Sequence, residues 1–257
     1  MFSTAVLITA VLLAGGADDR ALKPTGANYN IPLWPDGQVP LAKGDGPLDK
    51  PFVTVFSPPA GKANGASVVI APGGSNIMLM YGGEGMEVAE RFNDWGVTAF
   101  VLTYRLSPHY GEDARVLDGK RAIQMVRSRA AEFKLDPKRI GYIGFSAGSN
   151  LGRAVVDAAG PDERPDYLAL IYGAGRASAN ESLKSFPPTF LCAAEFDKGA
   201  SLGSAQLFMD LTKAGAIAEV HLYQQGRHGF GTGFGDPNFV DWMPRLQHFL
   251  QVARLLP

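Results

Sequence analysis

The sequence has a single cysteine, Cys192, among 257 residues. A lone thiol excludes an intramolecular disulfide and any metal site built from several cysteines. Charge of either sign is not in excess: 24 Lys and Arg stand against 25 Asp and Glu, a formal net charge of −1 with the four His neutral. Nucleic-acid binding depends on clustered positive charge, so nucleic acid is not expected as a partner. No apolar run reaches the about 20 residues that a membrane-spanning helix needs. Internal repeats and low-complexity tracts are also missing. The apolar fraction, in contrast, is 46%, enough for a large core, and 31 Gly with 18 Pro imply many tight turns. The length suits one α/β domain.

The N-terminus is nearly all apolar over residues 1–13, with Val6-Leu7-Ile8 and Val11-Leu12-Leu13 at its centre. Ala14-Gly15-Gly16-Ala17 follows, and charge begins at Asp18. A short apolar stretch ended by small residues has the pattern of a secretory signal peptide, although no Lys or Arg precedes it. Residues 1–17 are therefore expected to direct export to a secreted or periplasmic location, with cleavage near Ala17. The competing reading is a buried helix or a packed arm. Residues 18–50 are rich in Pro, Gly and Asn, with a turn signal at Trp34-Pro35-Asp36-Gly37. They are expected to form an extended segment lying over the domain, able to bring Trp34 toward a bound acyl chain.

From residue 51 to 257, apolar runs alternate with helical patterns. Strands are expected at 52–56, 67–71, 97–102, 140–144, 167–172, 188–194 and 218–223. Helices are expected at 86–95, 117–133, 150–158, 202–214 and about 240–255. Continuous β-branched runs separated by helices indicate a mostly parallel central sheet with helices on both faces. Ligands in such folds bind beyond the carboxyl ends of the strands.

Gly144-Phe145-Ser146-Ala147-Gly148 directly follows one expected strand and precedes an expected helix. This G-x-S-x-G context puts Ser146 on a sharp turn, where flanking glycines leave room for strand and helix. The helix N-terminus favours developing negative charge, and the Ala147 amide is placed to donate to it. A serine hydroxyl needs a base within hydrogen-bond reach. Of the four histidines, His228 lies in the glycine-rich loop Gly226-Arg227-His228-Gly229-Phe230-Gly231, just past a strand end. His221 lies within that strand, His248 in the last helix, and His109 in a loop as a binding-site candidate. Asp197 follows the strand ending near Ala194, and Glu195 beside it is the second choice for the acid. Asp197 also suits a helix N-cap. Asp157, Asp162, Glu163 and Asp166 precede the next strand and are too close to Ser146 in sequence. An earlier strand ends at Ala71-Pro72-Gly73-Gly74-Ser75, a turn whose glycines can present amides to a substrate oxygen.

Together these blocks resemble the α/β-hydrolase superfamily, and within it the esterase/lipase branch that includes acetyl xylan esterase-like carbohydrate acetylesterases. The resemblance covers about residues 50–255. It also rests on Glu84-Gly85 with the helix after it, and on the run from Ala99 to Leu106. Pro72 stands where many relatives carry His, Ser75 where many have a third glycine, and Ser149 where a second glycine often follows the elbow. The resemblance implies the chain order Ser146, Asp197, His228 for a triad. It further implies an oxyanion hole from Gly73, Gly74 and Ala147, and neither a metal nor an organic cofactor.

The implied activity is hydrolysis of short-chain esters, acetyl above all, on a carbohydrate or small-molecule ester, through an acyl-enzyme. No large insertion separates elbow and acid, the usual place of a lipase lid. Tyr81, Trp95, Tyr110, Phe230, Phe234 and Trp242 are candidates for stacking on sugar, weighed against burial in the core. Other readings are a feruloyl esterase or a serine peptidase on the same fold, or a binding protein with a relic hydrolase fold.

Overall fold

The computed structural model describes residues 28–173, 182–233, 235–239 and 241–257. The expected signal peptide, Phe234 and Val240 lie outside these residues. The described residues form one sheet of eight strands, in the order β1-β2-β4-β3-β5-β6-β7-β8. The strands are β1 Tyr29–Pro32, β2 Phe52–Phe56, β3 Ser67–Ala71, β4 Thr98–Thr103, β5 Ile140–Phe145, β6 Tyr167–Ile171, β7 Thr189–Ala194 and β8 Ala218–Tyr223. β4, β3 and β5 through β8 run parallel. β2 is antiparallel to β4, and β1 antiparallel to β2. The fold is that of the α/β-hydrolases.

Among the described residues, five helices cover the sheet: α1 Glu87–Asp94, α2 Glu112–Ser128, α3 Ala147–Ala158, α4 Lys198–Ala214 and α5 Trp242–Val252. The period-2 alternation of strands divides the core into two layers. Val68 and Ile70 of β3, with Ile143 and Phe145 of β5, pack against Val88 and Phe92 of α1 and Leu246 and Leu250 of α5. Val69 and Ala71, with Ile140 and Tyr142, pack against α2, α3 and α4 through Ile123, Val155 and Leu207. Burial of each large aliphatic side chain contributes about 1.5–3 kcal/mol. With apolar residues needed on both faces, the central strands carry no polar alternation.

Several boundaries differ from expectation. β1 joins the sheet, where the sequence suggested an extended segment lying over the domain; four residues containing Asn30 and Pro32 give too little pattern to mark a strand. α2 starts at Glu112 rather than 117, because Gly111 in extended geometry leads into a polar first turn whose Glu112 and Asp113 suit the helix dipole. α1 is preceded by a π-helical turn at Gly82–Met86. Trp34 does not reach over the site. Arg121 stacks on its ring at 5.2 Å, beside β1. That is four strands from β5, about 19 Å at the usual strand spacing.

Candidate active site

Ser146 joins β5 to α3 with φ 52° and ψ −115°, the left-handed side of backbone space. A non-glycine residue held there costs about 1–3 kcal/mol and needs surroundings that enforce it. Those surroundings are visible. The Ser146 amide donates to Ile171 O at 2.9 Å, fastening the elbow to the end of β6. A Cβ on Gly144 would lie 2.2 Å from Gly148 O, and one on Gly148 would lie 2.0 Å from Ala71 O. Both flanking glycines are therefore obligatory, as the motif requires.

Three residues from separate segments converge at this elbow. Ser146 Oγ lies 2.6 Å from His228 Nε2. His228 Nδ1 lies 2.5 Å from Asp197 Oδ2. A carboxylate only accepts, so Nδ1 carries the proton and Nε2 is left free to accept from the serine hydroxyl. The His228 side chain is half exposed and Asp197 is largely covered. Asp197 is also the N-cap of α4, accepting from the Ala200 amide at 3.3 Å through Oδ1. Glu195 is turned away, its carboxylate meeting Lys198 Nζ at 3.0 Å on the surface.

The other histidines take no part. His221 packs on Phe190 and meets Glu219 at 2.6 Å. His248 is exposed on α5. His109 lies 3.3 Å from Asp49 and edge-on to Tyr110. The Cys192 thiol is buried, which pushes its pKa well up and removes it as a nucleophile. Among the described residues, no group of three or more His, Cys, Asp or Glu side chains is arranged to hold a metal.

The turn after β3 is pinned on several sides. Tyr104 Oη donates to Pro72 O at 2.8 Å. The Gly73 amide donates to Glu84 Oε2 at 2.6 Å. Gly73 O accepts from the Met80 amide at 2.9 Å. The expected donor set of Gly73, Gly74 and Ala147 thus narrows, because Gly73 has spent its only N–H on a buried carboxylate. In a trans peptide, N–H and C=O point oppositely, so the Gly74 amide faces away from Met80. Among the described residues, the Gly74 and Ala147 amides donate to no protein acceptor. Gly74 has φ +125°, and a Cβ there would lie 2.3 Å from Met78 O.

A cleft of about 630 Å³ adjoins the elbow, lined by Tyr172, Asp197, His228, Asn150, Arg153 and Asp157 among others. Most of the aromatic candidates serve packing instead. Trp242 is fully buried, and Phe230 stacks on Phe239 at 4.1 Å. Tyr110 is buried beside Asp49, Tyr81 Oη donates to Thr54 Oγ1, and Trp95 packs edge-on to Phe92. Sequence reasoning counted Glu84 among the blocks of the resemblance and Tyr172 as a strand end, and gave neither a role in this region. Their only signals were an isolated carboxylate among glycines and a tyrosine at the end of an apolar run.

Comparison with known proteins places this geometry in context. The BD-FAE family model matches residues 53–162. An acetylxylan esterase of Xylanibacter ruminicola is 26% identical over 202 residues, which is 66% of this chain and 42% of that protein. The chain thus spans less than half the length of that relative. The crystal structure of an acetyl ester-xyloside bifunctional hydrolase from Caldicellulosiruptor lactoaceticus superposes with a TM-score of 0.78 at 28% identity, covering 92% of this chain and all of that one. A carboxylesterase of Lactobacillus plantarum superposes with a TM-score of 0.72 at 16% identity, over 90% of this chain and 99% of its own. The chain thus resembles the acetyl xylan esterases among α/β-hydrolase esterases.

Proposed function

We propose that this protein is a serine carboxylic ester hydrolase that removes short acyl groups, acetyl above all, from carbohydrate. The observation that carries this reading is the unbroken hydrogen-bonded chain Ser146–His228–Asp197 at the elbow after β5. In the proposed reaction, Ser146 Oγ attacks the ester carbonyl while His228 Nε2 takes its proton. Asp197 holds the imidazole in the correct tautomer and stabilises the imidazolium. The carbonyl oxygen, now an oxyanion, is received by the Gly74 and Ala147 amides, each worth about 3 kcal/mol. His228 passes its proton to the leaving alkoxide, and the acyl group remains on Ser146. Water then enters and gives a proton to His228 as its oxygen bonds the acyl carbon; the bond to Ser146 Oγ breaks, His228 returns the proton to Oγ, and the acid leaves.

The carbohydrate part of the reading is supported by likeness to the acetylxylan esterase and to the acetyl ester-xyloside hydrolase. The polar side chains of Asn150, Arg153 and Asp157 in the cleft suit a hydroxylated alcohol portion better than a long apolar one. Export belongs to the same reading and is supported by the apolar run at residues 1–13 followed by small residues. Terminal sequencing of the secreted protein is expected to give a start near Asp18; an intact Met1 overturns that part.

A panel of acetylated xylo-oligosaccharide, a feruloyl ester and an aminoacyl amide, assayed side by side, tests the activity. Release of acetate with little turnover of the other two is expected. Dominant feruloyl or amide hydrolysis overturns the substrate assignment, and no turnover of any of them favours a binding protein with a relic site.

A further inference from the structure

Glu84 is a buried carboxylate that is hydrogen-bonded to Gly73 and Tyr172 rather than to Ser146, His228 or Asp197, and it reaches the turn beside Ser146. Its Oε2 accepts the Gly73 amide at 2.6 Å, and its Oε1 accepts the Tyr172 hydroxyl at 2.8 Å. The Tyr172 oxygen in turn accepts the Gly231 amide at 3.1 Å, three residues beyond His228. The Tyr172 ring lies 5.0 Å from the His228 ring and 4.6 Å from Phe230. Burial, then the charge of Glu84, pushes the Tyr172 hydroxyl far above its usual range, so it stays a protonated donor.

We propose that Glu84 and Tyr172 are positioning residues that lock the oxyanion turn to the histidine loop, setting the distance between the Gly74 amide and His228. This inference rests on the esterase reading given above. Three observations carry it. First, Glu84 fixes the Gly73 peptide at a point where there is no slack: a Cβ on Gly73 would lie 2.7 Å from both Ser146 Cβ and Phe145 O. Any rotation of this peptide swings the next amide, Gly74, away from the reacting oxygen. Second, Tyr172 follows β6, the strand that also receives the Ser146 amide through Ile171 O. The Tyr172 hydroxyl therefore joins the turn after β3, through Glu84, to the loop after β8, and the neighbouring Ile171 carbonyl holds the elbow after β5. Third, Tyr172 holds φ +39°, a conformation unfavourable for an aromatic side chain. The backbone is kept there while its amide donates to Cys192 O at 2.7 Å and its hydroxyl reaches Glu84.

The test uses the purified full chain with Tyr172→Phe and Glu84→Gln. Tyr172→Phe removes only the hydroxyl. Glu84→Gln keeps the shape but sets an NH2 group against either the Gly73 amide or the Tyr172 hydroxyl. Active sites are titrated with a fluorophosphonate that labels serine, so that turnover is counted per competent Ser146. Hydrolysis of p-nitrophenyl acetate and binding of a trifluoromethyl ketone, which forms an oxyanion on the serine, are then measured.

Both variants are expected to lose kcat per titrated site by tenfold to a hundredfold, with KM within about twofold of wild type. Ketone affinity should fall in proportion to kcat/KM, because the lost interaction acts in the transition state. A purely structural role would lower the titrated fraction or the melting temperature and leave kcat per site unchanged; that result overturns the inference. A wild-type chain that is neither labelled at Ser146 nor active on the acetyl ester overturns the esterase reading instead, so the two failures are distinguishable.

Discussion

Asp197 and His228 are joined through one carboxylate oxygen, Oδ2 at 2.5 Å from Nδ1, while the other oxygen of Asp197 caps the first turn of α4. The helix cap and the histidine partner, alternative roles by sequence, are performed at once by one side chain. The two roles separate by substitution. Asn is as good an N-cap as Asp, so Asp197→Asn should keep the melting temperature within about a degree. Its amide leaves His228 in a tautomer that cannot accept from Ser146, and kcat should fall by about 10⁴-fold. Asp197→Ala should lose that activity and about 1 kcal/mol of stability as well. Glu195→Gln should stay within twofold of wild type; if it is the more damaging change, the assignment of the acid is wrong. Thermal melts and ester turnover decide both points.

Ser146 holds strained backbone, and glycine is the residue that relieves it. Ser146→Gly should abolish at least about 10³-fold of kcat and raise stability by about 1 kcal/mol. Ser146→Ala should lose the same activity without the gain, because alanine at φ 52° keeps the strain. Equal stability of the two variants would show that the elbow is not strained in solution.

How far the sequence disclosed this site follows from the kind of signal each part leaves. The β5–Ser146–α3 elbow was legible because it needs a run of apolar residues, two glycines and a serine within a few positions. His228 and Asp197 were legible because parallel sheets deliver such residues just past strand ends. Glu84 was not, because its role depends on contacts 11 residues away at Gly73 and 88 away at Tyr172. The Gly73 donor assignment narrowed for the same reason. Nothing local says that a carboxylate folded back from a π-helical turn will take its amide. β1 escaped notice because Tyr29-Asn30-Ile31-Pro32 has only Ile31 buried, and its existence depends on pairing with β2.

On the proposed reading, a short acyl group is expected from the absence of a long insertion between Ser146 and Asp197 and from the placement of Trp34 beside α2. With the cleft of about 630 Å³ given to the alcohol portion, an acyl chain beyond about four carbons should be overpacked on the other side of Ser146, at about 1–3 kcal/mol. About 1.4 kcal/mol is tenfold in kcat/KM, so acetyl should be preferred over octanoyl by tenfold or more. A series of p-nitrophenyl esters from two to eight carbons checks this, and a maximum at eight carbons rules it out.

Asp49 ties the segment before β2 to the loop after β4. The Tyr110 hydroxyl donates to Asp49 Oδ1, and the Gly46 amide donates to Oδ2 at 3.0 Å. The tyrosine hydrogen bond is the largest influence holding the Asp49 carboxyl below its usual value. A depressed folded-state pKa stabilises the fold fully above the unfolded value, about 3.9, and the effect fades as pH falls through the lower folded value. Asp49→Asn should therefore melt below wild type from about pH 5 to 8, with the gap closing below about pH 4. A gap that widens on acidification would contradict the sign. Calorimetry across that range supplies the measurement.

The strand order from β5 outward, β5-β6-β7-β8, follows chain order, and each of these strands pairs in parallel with the one made just before it. A growing polypeptide can thus lay down this half of the sheet one edge at a time as it leaves the ribosome. Ser146 emerges first and Asp197 next, and neither has its partner until the loop after β8 arrives with His228. On the esterase reading proposed above, the nascent chain is therefore expected to be hydrolytically silent until residue 228 has been made. On the same reading, a stop between residues 197 and 227 would release a product that carries Ser146 and Asp197 and lacks the histidine both of them meet.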